Sequence, residues 1–118
     1  MDKKDVQIRS CEKKVMAIND AMYVLGGKWT IHIMTSLYYG KKRYSDILED
    51  IDGISGKMLS RSLKEMEINM LISRVVKDTR PITVQYELTE YGKKLIPVID
   101  KLAEWGMEHR KKLAGRDE

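Results

Sequence analysis

The stretch that decides the fold is GISGKMLSRSLKEME, residues 53–67. Ser55 suits a helix N-cap because its hydroxyl can accept a hydrogen bond from an N–H of the first turn. At about 100° per residue the apolar positions fall on one narrow stripe: Leu59, Leu63, Met66 and Met70. The polar positions fall on the opposite face: Lys57, Ser60, Arg61 and Lys64. This pattern predicts an amphipathic helix from Ser55 to Asn69.

The residues before this helix predict a second, shorter helix and a turn. Tyr44 to Glu49 is the short helix, and Asp50 to Ile54 is the turn, because Asp and Gly both favour turn geometry. Lys41, Lys42 and Arg43 form a basic connector that has room for a short strand. Further upstream, helices are predicted over residues 15–25 and from Lys28 to Tyr39, with Gly26 and Gly27 between them.

The residues after the amphipathic helix predict a β-hairpin and a last helix. Strands are expected over 71–76 and 82–88, joined by a turn at 78–81, because apolar and polar residues alternate in the second of them. Thr89 caps a helix over 90–113, in which Pro97 must cause a kink or a division.

This order of elements is typical of a winged helix-turn-helix. Other small α+β domains can share the order, so the fold prediction rests on the details of the turn and the wing. The predicted fold is α+β and mainly helical, with a two- or three-stranded antiparallel wing and a long C-terminal helix. The predicted organisation is an N-terminal arm or early helix turn (1–14), one domain (15–113) and a C-terminal tail (114–118). A chain of 118 residues suits a single domain.

Composition excludes several classes of protein. No run of about 18 apolar residues exists that could span a membrane, and no secretory signal opens the chain. Cys11 is the single cysteine, so no intrachain disulfide can form, and a cytoplasmic location is predicted. The net charge of +4 is mildly basic, so the positions of the charges matter more than their sum.

Catalytic and metal-binding motifs are missing from the sequence. The soft metal ligands are Cys11, His32 and His109, which are scattered without ligand spacing. No phosphate-binding loop, nucleophile elbow or zinc-protease motif is present. We therefore predict that the chain is no enzyme and has no metal or cofactor.

The charged face of the helix at 55–69 fits the major groove of DNA. A recognition helix packs on its domain with one face and meets base edges with the other. Arg61 is the candidate for reading bases, Lys57 for base or phosphate, and Lys64 for phosphate. Ser55 and Ser60 belong to the same surface, and free N–H groups at the helix start can bind a phosphate. The alternative is that these are ordinary solvated charges on a surface helix.

Other basic residues add candidate DNA contacts. The hairpin turn carries Lys77 and Arg80, which in a winged fold lie on the backbone or in the minor groove. Lys42 and Arg43 can contact phosphate. Each of these residues has the alternative role of a plain surface charge.

The sequence resembles the HxlR-type family of winged-helix transcriptional regulators. The matching stretches run in the family's order: LGGKW (25–29), KKRYSDIL (41–48), GISGKMLSRSLKEME (53–67), PITVQYELTEYG (81–92) and LIPVIDKLAEWG (95–106). The resemblance covers residues 15–110. It implies a homodimer that binds double-stranded DNA through the helix at 55–69, with the first and last helices forming the dimer.

Apolar residues of those two terminal helices are the candidate dimer interface: Ile18, Met22, Leu95, Ile99, Leu102 and Trp105. An intramolecular role for some of them is the alternative. Four aromatic residues either line a pocket for an unknown small-molecule effector or are simply core and interface: Tyr23, Trp29, Tyr38 and Trp105. A winged helix that binds protein without specific DNA binding is the rival function.

The family's redox chemistry does not transfer to this chain by position. Family members often carry Cys-Pro upstream of the Trp of LGGKW, and the matching positions here are Met16 and Ala17. Cys11 lies five residues earlier and has no following proline. It is either a bystander thiol or a redox site whose partner is another subunit or a small thiol.

Overall fold

The structure is a computed structural model that describes residues 2–115. The helices are α1 (Lys3–Leu25), α2 (Thr30–Leu37), α3 (Tyr44–Asp50), α4 (Gly56–Ile68), α5 (Glu90–Lys93) and α6 (Ile96–Leu113). The strands are β1 (Lys42–Arg43), β2 (Ile72–Lys77) and β3 (Thr83–Leu88). The predicted winged helix-turn-helix fold is confirmed, with α3 and α4 as the two helices of the motif.

The core forms where α4 lies on the preceding helices. Leu59, Leu63 and Met66 of α4 are buried, as the apolar stripe predicts. They share one cluster with Ile33 of α2 and Ile47 of α3. Each such side chain stabilises the fold by about 1.5–3 kcal/mol when it leaves water. This burial fixes which face of α4 points outward.

The wing is a three-stranded antiparallel sheet with the order β1-β3-β2. The β2–β3 hairpin runs from the pair Ile72–Leu88 to the pair Lys77–Thr83. The short strand β1 joins the other edge, with Lys42 opposite Tyr86. The sheet therefore connects the start of α3 to the segment that follows α4.

A polar network ties α2, β1 and α3 together. The Ser36 hydroxyl donates to Asp50 Oδ2 at 2.8 Å, and Lys42 forms an ion pair with the same carboxylate oxygen. These hydrogen bonds, that of Lys42 first, lower the pKa of the Asp50 carboxyl. Lys42, a candidate phosphate contact in the sequence, is thus engaged inside the domain.

The N-terminal segment differs from the sequence prediction. Residues 3–14, expected to be an arm or an early helix turn, belong to the single 23-residue helix α1. Asp2 caps this helix by accepting a hydrogen bond from the Lys4 N–H at 3.4 Å. The segment is mainly polar, with Val6, Ile8 and Cys11 as its apolar residues, so apolar periodicity did not mark it as helical.

At the ends of two other elements, one expectation is wrong and one is confirmed. Met70 is not part of the buried stripe, because α4 ends at Ile68 and Met70 is 66% exposed with φ of 62°. The last helix is divided into α5 and α6, and Pro97 lies in the first turn of α6, where no backbone N–H is needed. Of the predicted C-terminal tail, residues 116–118 lie outside the described range.

Candidate nucleic-acid interface

The outward face of α4 carries a row of exposed polar and basic side chains. Its members are those predicted from the sequence: Lys57, Ser60, Arg61 and Lys64. The burial of Leu59 and Leu63 on the inner face holds these side chains in solvent. The structure therefore brings these four candidate DNA contacts together on one helix face, in the second helix of the motif.

Arg61 forms an ion pair with Glu65 on the same helix. Its Nε lies 3.7 Å from Glu65 Oε1, one turn along the helix, and its side chain is 74% exposed. An ion pair this exposed contributes at most about 1 kcal/mol. Arg61 can therefore exchange this carboxylate for a DNA phosphate or a guanine edge at little cost.

The start of α4 is set by Ser55. Its hydroxyl accepts a hydrogen bond from the Met58 N–H at 3.1 Å, as the capping prediction requires. The serine is exposed, so it lies at the same surface as Lys57. Its hydroxyl is engaged in the cap, which leaves the neighbouring N–H groups of the first turn for an anion.

The tip of the wing places two more candidates in solvent. Lys77 and Arg80 are both exposed. Thr79 stiffens the turn between them, because its hydroxyl donates to the Pro81 carbonyl at 2.7 Å and lies 3.0 Å from the Thr83 hydroxyl. The tip therefore presents its positive charges from an ordered turn.

Arg43 is exposed at the end of β1, directly before α3. Its backbone N–H donates to Asp46 Oδ2 at 3.3 Å, which closes the first turn of that helix. Its guanidinium remains a candidate phosphate contact at the entrance of the motif.

Sequence reasoning missed the role of Tyr44. Its hydroxyl donates to the Gly56 carbonyl at 2.7 Å and accepts from the Ser60 hydroxyl at 3.3 Å. The side chain thus joins the first residue of α3 to the first turn of α4. No local pattern could have indicated this, because the partners lie 12 and 16 residues away in the sequence.

The candidate dimer residues fall into two groups. Leu95 and Ile99 are half-buried against the chain's own core. Ile18, Met22, Leu102 and Trp105 are exposed, Trp105 by 65%. The last helix has no buried residue among those described, and Trp105 stacks on His109 with ring centres 4.8 Å apart. The exposed group marks a partly apolar surface on α1 and α6.

Besides Trp105, three aromatic residues were considered for an effector pocket, and they have different neighbours. Trp29 packs against the core and lies 5.5 Å from the His32 ring. Tyr38 makes an edge contact with Tyr39 at 4.8 Å, and Tyr23 lies 85% exposed on α1.

Cys11 is an exposed free thiol on α1. Across residues 2–115, no three histidine, cysteine or acidic side chains form a group that could hold a metal ion. Within the same range, no helix combines the length and apolar character needed to cross a membrane.

The helix-turn-helix, its wing and the basic face of α4 define a winged-helix protein of the transcriptional-regulator class. Residues 24–114 match the HxlR-like helix-turn-helix family, and the chain belongs to this family. The family is one of transcriptional regulators and not of enzymes. The N-terminal part of α1, residues 3–23, precedes the matched region.

Relatives and solved structures agree with this assignment. The HTH-type transcriptional regulator YtcD of Bacillus subtilis is 36% identical over 104 residues, which are 88% of this chain and 82% of that protein. A MarR-family regulator structure from Enterococcus faecalis superposes with a TM-score of 0.80 at 34% identity, covering 86% of this chain and 92% of the other. The reduced regulator YodB of B. subtilis has a TM-score of 0.74 at 37% identity, with coverage of 78% and 90%.

Proposed function

We propose that this protein regulates transcription as a homodimer that binds a specific duplex DNA sequence. The helix α4 enters the major groove, and the wing tip lies on the backbone or in the minor groove. The observation that carries the proposal is the outward face of α4, where Lys57, Arg61 and Lys64 are exposed together on the second helix of the motif.

The remaining basic residues extend this surface beyond α4. Arg43 precedes the first helix of the motif, and Lys77 and Arg80 flank the wing tip. Contacts from separate elements to phosphates fix the position of a protein on the duplex, while side chains in the groove read the bases. We assign Arg61 to bases, Lys57 to base or phosphate, and the others to phosphate.

The second copy of the chain occupies the apolar surface of the terminal helices. Ile18 and Met22 on α1, and Leu102 and Trp105 on α6, are large apolar side chains exposed to water in the single chain. Because each of these side chains is about half exposed in the single chain, burying it against a partner would contribute roughly half of the ~1.5–3 kcal/mol of a fully buried apolar side chain. A dimer also presents two copies of α4 to half-sites about one helical turn apart.

The direct test is fluorescence anisotropy of labelled duplex DNA over a salt series. The probes are the promoter beside the protein's own gene and a random duplex of equal length. Selective binding that weakens steeply with salt supports a sequence-specific regulator, because phosphate contacts release counterions. A folded dimer that binds neither probe at low salt would refute DNA binding and favour a protein-binding winged helix.

Arg61→Ala tests the assignment of base reading. It should weaken binding to the specific site by about 1–3 kcal/mol and relax the preference at one base position. Lys93→Ala is the matched control, because it removes one positive charge from α5, outside the proposed surface. Equal losses on specific and random DNA would make Arg61 a phosphate contact instead.

Trp105→Ala tests the dimer surface. It should shift the monomer–dimer equilibrium toward monomer, because the substitution removes the indole that contacts the second chain. Sedimentation velocity over a concentration series measures the shift, and circular dichroism checks the fold. A folded variant that remains as dimeric as the wild type would place the interface elsewhere.

A further inference from the structure

The Tyr44 hydroxyl determines the direction of two hydrogen bonds at the start of α4. The Gly56 carbonyl can only accept, so the Tyr44 proton points to it across 2.7 Å. The contact between Tyr44 and Ser60, at 3.3 Å, must then use the Ser60 proton. The single donor of the exposed Ser60 hydroxyl is therefore committed to the protein, and its lone pairs remain for solvent or DNA.

Gly56 makes room for this arrangement. A Cβ added at position 56 would lie 3.0 Å from the Tyr44 hydroxyl oxygen. Glycine at this first position of α4 therefore lets the hydroxyl approach the helix more closely than a side chain there would. Tyr44, Gly56 and Ser60 act as one unit that fixes the first turn.

We infer that Tyr44 is a positioning residue that makes Ser60 a hydrogen-bond acceptor toward DNA, an inference that rests on the proposed entry of α4 into the major groove. In that groove adenine and cytosine offer amino donors, whereas guanine and thymine offer only acceptors at their hydrogen-bonding positions. At the base that faces it, Ser60 therefore prefers adenine or cytosine over guanine or thymine.

The test starts from a duplex selected by the wild-type protein from a random library. Each position of this duplex is replaced by all four bases, and affinities are measured for the wild type, Tyr44→Phe, Ser60→Ala and the double variant. Tyr44→Phe keeps the aromatic ring and removes the hydroxyl. We expect it to reduce the preference for adenine or cytosine at one position about fivefold or more, since a base contact discriminates by roughly 1–3 kcal/mol.

Several readouts separate this effect from a general loss of structure. Ser60→Ala should abolish the base preference at the same position. The double variant should lose no more of this preference than Ser60→Ala alone. The salt dependence and the affinity for random DNA should not change. A Tyr44→Phe variant that keeps the wild-type preference, or loses affinity equally for every sequence, would overturn the inference. A wild type that selects no sequence would instead overturn the proposed function, and the inference with it.

Discussion

Gly92→Ala should strongly destabilise the domain, because the residue touches the backbone that follows α4. A Cβ at position 92 would lie 2.1 Å from the Leu71 carbonyl oxygen, and 3.0 and 3.2 Å from Leu71 C and Cα. All three atoms belong to the backbone, so no side chain can turn away. The same carbonyl accepts from the Thr89 N–H at 3.0 Å, and the Thr89 hydroxyl donates to the neighbouring Met70 carbonyl at 2.7 Å. Relief of the clash therefore strains the bonds that connect β2 to α5.

The expected decrease in the free energy of unfolding follows from these contacts. Overpacking costs about 1–3 kcal/mol, and a weakened hydrogen bond adds about 0.5–1.5 kcal/mol. A total near 2–4 kcal/mol would lower the Tm by roughly 8–16 °C for a domain of this size. Urea unfolding followed by far-UV circular dichroism gives the free energy, and calorimetry gives the Tm.

Gly106→Ala is the matched control within the same chain. Gly106 lies inside α6, and an added Cβ would meet nothing within 4 Å. Alanine there should raise stability by up to about 1 kcal/mol, because it favours the helix over the unfolded chain. A Gly92→Ala variant as stable as the wild type would refute the reasoning about close approach.

Two further perturbations test the charges around the motif. Glu65→Gln should tighten binding to duplex DNA up to about fivefold at low salt, because it frees Arg61 and removes a repelling charge. Glu104→Gln on α6 is the control and should have no such effect. Unchanged affinity in Glu65→Gln would contradict the assignment of Arg61 to DNA. Asp50→Asn should lower the Tm at neutral pH, because the lowered pKa of Asp50 means that its carboxylate stabilises the fold at neutral pH. This stabilisation is lost as the pH falls through the lowered pKa, so the Tm difference from the wild type should narrow below about pH 4. A difference that stays constant with pH would show that Lys42 does not stabilise the fold through the charge of Asp50.

Local patterns predicted much of the surface that matters for function. The spacing of Leu59, Leu63 and Met66 determines which face of α4 is buried, so the outward position of Arg61 could be predicted from the sequence. The alternation of apolar and polar residues in β3 agrees with the burial of Leu88 and the packing of Tyr86 against the core. It failed at Ile82, which lies before the strand and is 67% exposed. Periodicity predicts the orientation of side chains well, because a helix or strand returns to the same face at a fixed interval over several residues.

The same patterns predicted the ends of elements less well. The sequence placed Met70 on the buried stripe, but a stripe continues only as long as the helix does, and α4 ends at Ile68. The helix α1 was expected to begin at residue 15 and instead begins at Lys3. Its first half is polar, and the cap that Asp2 provides lies outside the region that an apolar pattern marks.

By itself, the sequence determined the order of the elements, the buried face of α4 and the row of basic residues opposite it. These features depend on neighbours within a few residues, which the chain order already specifies. The tertiary structure alone decided that Tyr44 contacts Gly56, that Gly92 approaches Leu71, and that Lys42 pairs with Asp50. Such contacts join residues that only packing brings together, and no periodic pattern records the distance between them.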